Sequence, residues 1–263
     1  MIDYIAEAMT VKTSGLFLCV MGPSGAGKSH FIGTYPGKTL LIYGQGESHG
    51  PASAIKNNKD IIPISWSQTK DGSLKPDQYI KRLKDILNPE AIVKAGFKCI
   101  AIDSLTNLCL DLKDTPVFKQ KCQAKDGKHN AFKETEALIE LGSKILNLLQ
   151  EISEVHGIDV IVTTDLQINS VSETGIITES KPGLPTFGVG RALVQQFPEI
   201  LVLGRVEGKP IFQNFAKVSS KSVDRETSTV VKYLEYNPRL RGVDELPETL
   251  EPTVKAIFDL KGE

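Results

Sequence analysis

The sequence predicts an α/β fold with a mostly parallel central sheet and an antiparallel C-terminal extension. Three observations carry that prediction. Short runs with an apolar residue at nearly every position recur between amphipathic helical patterns, as in strands buried on both faces of a parallel sheet. A glycine-rich turn stands between the first such run and a helix. Past residue 163 the texture changes to closely spaced strand-like segments joined by turn residues, the signature of antiparallel pairing.

Taken in order, the strand runs are Leu16–Met21, Thr39–Tyr43, Asp60–Trp66, Lys98–Asp103 and Ile158–Thr163. Helices are expected over Lys28–Tyr35, Pro76–Leu87 and Ala131–His156. The last keeps three/four spacing through Leu138, Leu141, Ile145, Leu148, Leu149 and Ile152, and Gly157 stands where a helix stop is expected. Ile168–Val171 and Ile176–Thr178 flank Glu173-Thr174-Gly175 and read as a hairpin. Strand-like segments follow at Ile200–Val206, Ile211–Phe215 and Thr229–Tyr236. After the break at Asn237-Pro238 comes a Pro-containing tail with a short helix near Thr253–Leu260. The division expected is a core over residues 1–240, holding a basic loop at 113–133 and a hairpin or loop at 166–184, and a tail over 241–263.

With 263 residues, 40% hydrophobic and 24% charged, the chain is of ordinary globular composition, which excludes a disordered protein. The 31 Lys+Arg against 32 Asp+Glu leave a net charge of -1, which excludes a protein coated in positive charge. Cys19 and Cys99 fall in apolar runs and read as core. Cys109, Cys122 and His129 match no zinc spacing. Leu16–Met21 is too short to span a bilayer and follows no basic leader, so a soluble cytoplasmic protein without a membrane partner is expected.

Gly22-Pro23-Ser24-Gly25-Ala26-Gly27-Lys28-Ser29 is a complete GxxxxGK[ST] phosphate loop, and His30 follows it. Its glycines let successive backbone N–H groups face phosphate oxygens, and the following helix adds its positive end. Lys28 would reach the β- and γ-phosphates of ATP, and Ser29 would ligate Mg2+. Cys99-Ile100-Ala101-Ile102-Asp103 is an apolar strand ending in an acid, the arrangement in which a carboxylate holds the Mg2+ shell through water. Ser104 stands where many motor ATPases have a water-activating Glu, so the base must come from elsewhere or hydrolysis is slow. Glu47, in the glycine-rich stretch Gly44–Gly50 after the second strand, is the candidate; a solvated loop carboxylate is the plain alternative. Thr163 or Thr164, with Gln167 as a further option, ends a core strand and would sense the γ-phosphate; simple strand-end polarity is the alternative.

From Lys113 to Lys133, six lysines against two aspartates give a local charge of +4 in what reads as a long exposed loop. Lys119, Lys121, Lys125 and Lys128 are candidate phosphate contacts for single-stranded DNA, and Phe118 and Phe132 would stack on bases. A solvated basic loop without a ligand reads equally well.

Gly22–Ser29, Glu47, Asp103-Ser104 and the polar end of Ile158–Gln167 together resemble the RecA-like ATPase core. They look most like the small phage ATPases that are core-only relatives of RecA and act in single-strand annealing and recombination. That resemblance implies a core sheet ordered 5-1-4-3-2, Glu47 as the catalytic carboxylate, ATP and Mg2+ as cofactors, and loops beyond the later strands facing DNA. It also implies a homo-oligomeric ring or filament with ATP at subunit interfaces. Lys217 and Lys221 are then candidates for a cation supplied in trans to the γ-phosphate, with surface salt bridging as the alternative. Ile5-Ala6-Glu7-Ala8 faintly resembles a subunit-docking motif, and a single-strand DNA-binding protein is a possible partner of such an activity. Two other functions fit the same loop: a P-loop kinase of a nucleotide or small metabolite, and a non-catalytic nucleotide switch. No Arg-rich stretch lies between Ser29 and Ile80 to serve a kinase acceptor.

Overall fold

The computed structural model describes residues 15–44, 49–123, 130–171, 177–206, 209–212, 239–243, 246–247 and 250–262. In chain order, β1 (Phe17–Gly22) leads into α1 (Lys28–Ile32), β2 (Thr39–Tyr43), α2 (His49–Asn57) and β3 (Ile61–Ser65). A two-stranded ribbon, β4 (Gln68–Thr69) and β5 (Gly72–Ser73), precedes a 3-10 turn at Pro76–Gln78, α3 (Tyr79–Ile86) and α4 (Pro89–Lys94). Then come β6 (Cys99–Asp103), α5 (Leu105–Lys113), α6 (Pro116–Cys122) and α7 (Ala131–His156). The remaining elements are β7 (Asp159–Val171), β8 (Ile177–Pro182), α8 (Phe187–Val194), β9 (Glu199–Val206), β10 (Lys209–Phe212) and α9 (Val254–Lys261).

The large sheet runs β10-β9-β1-β7-β6-β2-β3, with β8 paired to β7. Every pairing from β9 to β3 is parallel, whereas β10 on β9 and β8 on β7 are antiparallel. Counting β1, β2, β6, β7 and β9 as core strands one to five, the order is 5-1-4-3-2, as the resemblance implies, and β3 adds one parallel strand beyond it. The phosphate-loop strand β1 and the acid-bearing strand β6 are therefore not neighbours. β7 lies between them and brings its own polar end to the same edge.

Alternate side chains of each strand enter opposite layers. Phe17, Cys19 and Met21 of β1 join the layer built with α3, α5, α7 and α8, where Phe17 stacks on Phe197 at 4.8 Å. Leu16, Leu18 and Val20 enter the other layer with Phe31, Ile32 and α9, where Tyr35 meets Phe258 edge-on. Both faces of the inner strands are thus dry, which is why they read as unbroken apolar runs rather than alternating ones, while β3 at the edge exposes Ile62 and Pro63.

Ala131–His156 forms as expected, residue for residue. Asn130 accepts hydrogen bonds from the N–H groups of Phe132 and Lys133, and Gly157 closes the helix at φ 63°. Elsewhere the structure differs. The expected helix Lys28–Tyr35 stops at Ile32, where the chain tightens: Thr34 N–H and Tyr35 N–H donate three residues back, and the Thr34 hydroxyl also donates to Phe31 O at 2.7 Å. The expected strand Ile158–Thr163 continues to Val171, since β8 supplies hydrogen-bond partners to its second half.

The stretch 113–133 is not one long loop. Its residues 116–122 form α6, started by Thr115, whose hydroxyl accepts from Phe118 N–H, with Pro116 as first helical residue. The apolar face is only Phe118 and Cys122, one turn apart, which is too little periodicity to read from sequence. Phe118 is 4% exposed and is not available to stack on a base, whereas Phe132 is 72% exposed.

Among the described residues no helix is long and apolar enough to cross a membrane. The tail helix α9 docks beside α1: Val254 N–H donates to Thr34 Oγ1, and Lys261 pairs with the fully buried Glu199 at 3.0 Å.

Candidate functional site

The loop 22–27 turns out of β1 by placing Gly25 at φ 78° and Gly27 at φ 103°, values that side chains other than glycine adopt only under strain. A 3.1 Å bond from Ala26 N–H to Pro23 O closes the turn. The loop rims a cleft of about 580 Å³ whose walls include Ser24, Lys28, Ser29, His30, Asp103 and Asp165.

Lys28 is only 9% exposed, so its ammonium needs partners. It donates to Gly22 O at 2.9 Å, to Pro23 O at 3.2 Å and to Asp165 Oδ1 at 2.8 Å. Two partners belong to the loop itself and hold the side chain against it. The third, Asp165, lies at the end of the polar run of β7.

Asp103, at the C-terminal end of β6, is 2% exposed. Thr163 Oγ1 donates to its Oδ1 at 2.5 Å and Ser29 Oγ donates to its Oδ2 at 2.6 Å. Three strands or their following loops thus converge on one carboxylate. Both partners are neutral hydroxyls, and among the described residues no cation pairs with this nearly buried carboxylate. A hydroxyl and a carboxylate form a hard-oxygen donor set of the kind Mg2+ takes, and the uncompensated charge suits a divalent ion. Ser29 and Asp103 therefore fit the metal, and Lys28 with the loop amides fits a polyphosphate.

The two threonines offered as alternative sensors face different partners. Thr163 faces Asp103, while Thr164 is turned to Thr106 of α5, with hydroxyls 3.1 Å apart. Thr106 Oγ1 also accepts from Asp165 N–H at 3.0 Å, tying α5 to the strand end. His30 leans to α2, where its Nδ1 lies 2.6 Å from Asn57 Nδ2.

Lys119 is exposed on α6, and Lys121 pairs with Glu140 of α7 at 2.7 Å. Glu47, Lys125, Lys128, Lys217 and Lys221 lie outside the described residues, as do Ile5–Ala8.

Two charged cleft residues escaped the sequence reading. Asp165 is visible in sequence only as the third polar residue of Thr163-Thr164-Asp165, and what distinguishes it is its bond to Lys28, 137 positions away. Arg205 enters the cleft wall from the end of β9. Its signal is a charge directly after the apolar run Ile200–Leu203 and Gly204.

No protein-family model matches this chain, and no curated protein matches it in sequence. Among solved structures it is similar to the crystal structure of the RadB recombinase, at 20% identity over 76% of this chain and 80% of that one, with a TM-score of 0.40. The strand order, with β7 between the phosphate-loop strand and the Asp103 strand, makes the fold a mostly parallel α/β sheet with a 5-1-4-3-2 core and antiparallel additions.

Proposed function

We propose that this protein is a Mg2+-dependent ATPase of RecA-like type that acts on single-stranded DNA in recombination, annealing or replication, as the small phage ATPases it resembles do. The observation that carries the reading is the convergence of Lys28, Ser29, Asp103 and Thr163 at one edge of the parallel sheet. Residues 22–29 would cradle the triphosphate, with His30 at its margin. Ser29 would bind Mg2+ directly, and Asp103 would hold it through water. Thr163, bonded to Asp103, and Thr164, bonded to α5, would pass the state of the γ-phosphate to β7 and its hairpin.

Glu47 is the proposed base for the attacking water. Lys217 and Lys221 of a neighbouring subunit are proposed to reach the γ-phosphate in a ring or filament. In this reading residues 1–240 are the core, and the protein works in the cytoplasm with a single-strand DNA-binding protein as a possible partner.

The deciding experiment is an ATPase assay with and without single-stranded DNA, run beside a panel of nucleoside acceptors. DNA-stimulated phosphate release is the expected result. Phosphorylation of an acceptor would replace the reading with a kinase, and nucleotide binding without turnover would replace it with a switch.

Replacing Lys119, Lys121, Lys125 and Lys128 together by alanine is expected to weaken single-stranded DNA binding. It should also flatten the log–log salt slope by about 0.7 for each lysine–phosphate pair removed. Filter binding across a salt series measures both, and unchanged affinity would remove this segment from the DNA site.

Asp165 competes with a phosphate for Lys28, so Asp165→Asn is expected to tighten ATP binding by up to about fivefold, the worth of a partly exposed ion pair. Titration with a fluorescent ATP analogue reads this directly. Weaker binding would mean that Asp165 positions Lys28 rather than restraining it.

A further inference from the structure

On the sheet face opposite α1 and α9, the helices α3, α5, α6 and α7 leave an apolar groove of about 260 Å³. Its floor is Leu83, Leu87, Leu112 and Leu141, all buried, and Val117 stands 44% exposed on its lip. A second cleft continues it past Ile80, Lys84 and Val117 to Lys81 and Asp77.

The rim is basic. Lys84 and Lys144 border the groove and Lys81 its continuation. Among the described residues neither Lys81 nor Lys84 has an ion-pair partner, while Lys144 shares the single carboxylate of Glu140 with Lys121. Asp77 is the one acid lining the continuation. The groove thus joins a closed aliphatic floor to a surplus of exposed ammonium groups. It has no aromatic side chain in its lining on which a base would stack, which argues against a nucleic-acid strand.

We propose that this groove docks an acidic peptide segment of a partner protein. One or two bulky apolar side chains of that segment would fill the Leu83–Leu112–Leu141 floor, while its carboxylates would meet Lys81, Lys84 and Lys144. The apolar insertion supplies the affinity and the lysine rim selects the sign of the charge. The site shares no residue with the nucleotide cleft, so it stands whether or not the ATPase reading does.

The test uses the full chain and a fluorescein-labelled decapeptide of Asp, Glu, Leu and Phe, followed by fluorescence anisotropy. Its control is a peptide of the same pattern with Lys in place of each acid. The acidic peptide is expected to bind, to weaken as salt rises, and to lose about tenfold or more in affinity to Lys84→Glu combined with Lys144→Glu. Val117→Asp, on the exposed lip, is expected to weaken binding as well. Unchanged thermal unfolding of the variants separates loss of docking from loss of fold. Absent binding, equal binding of the Lys-containing peptide, or unchanged affinity in the double variant would overturn the proposal. Displacement of the peptide by single-stranded oligothymidine would reassign the groove to nucleic acid.

Discussion

Replacing Lys28 with alanine is expected to lower ATP turnover by at least about 100-fold, the scale on which removal of one donor to a transferring group acts. The side chain is held against the loop by the carbonyls of Gly22 and Pro23, and its remaining hydrogen-bond donor points to Asp165. A triphosphate in the cleft would take the place of Asp165 as the third partner. The amine would then move between two acceptors instead of leaving water, so little reorganisation accompanies binding. Folding should survive the substitution, because Asp165 is 42% exposed and water replaces its lost partner. The measurement is phosphate release at saturating ATP, with circular dichroism to establish that the variant folds. Activity within about threefold of the parent protein would remove Lys28 from the phosphate site.

Glu47→Gln is expected to lower turnover by about 100-fold to 10,000-fold, the usual contribution of a positioned general base, while leaving ATP affinity within about threefold. The argument rests on where β2 ends. Tyr43 of β2 lies in register with Asp103 of β6, so the chain leaves β2 at the level of the Asp103 carboxylate. Gly44 packs so closely on Trp66 that a Cβ there would overlap the indole, and Trp66 is itself anchored by its Nε1–H to Asp111 at 2.7 Å. The exit direction of the chain from β2 is therefore set three residues before Glu47, and α2, which resumes at His49, puts Gly50 and Ser53 on the cleft wall. Single-turnover hydrolysis beside equilibrium nucleotide binding separates the two effects. Wild-type turnover in the variant would move the base elsewhere, with Asp165, hydrogen-bonded to Lys28, the next carboxylate to replace.

The inner parallel strands were readable because they are buried on both faces and carry mostly apolar residues. β1, with all six residues buried, and β6, with all five, are the clearest cases. Helix α7 was readable because it is long enough for its apolar stripe to repeat and carries its own end signals in Asn130 and Gly157. Helices α2 and α8 were missed, as were the short helices α4, α5 and α6. Their apolar faces span one or two turns, and their caps, Asn88, Ser104 and Thr115, look in sequence like any loop residue.

What the amino-acid sequence determined alone was the local chemistry. A phosphate loop is a contiguous string whose glycines and lysine act within eight positions, so its residue types suffice to identify it. Asp103 was legible for the same reason, as an acid ending an apolar strand. Tertiary structure alone decided which distant side chains share that chemistry. Inserting β7 between β1 and β6 sets Thr163 against Asp103 and Asp165 against Lys28, pairs separated by 60 and 137 positions. It also turned Thr164 away toward α5 and buried Phe118, a residue that sequence had offered to DNA. The physical reason is that a strand's side chains alternate between its faces, so two adjacent threonines within β7 meet different partners, and only the sheet order says which.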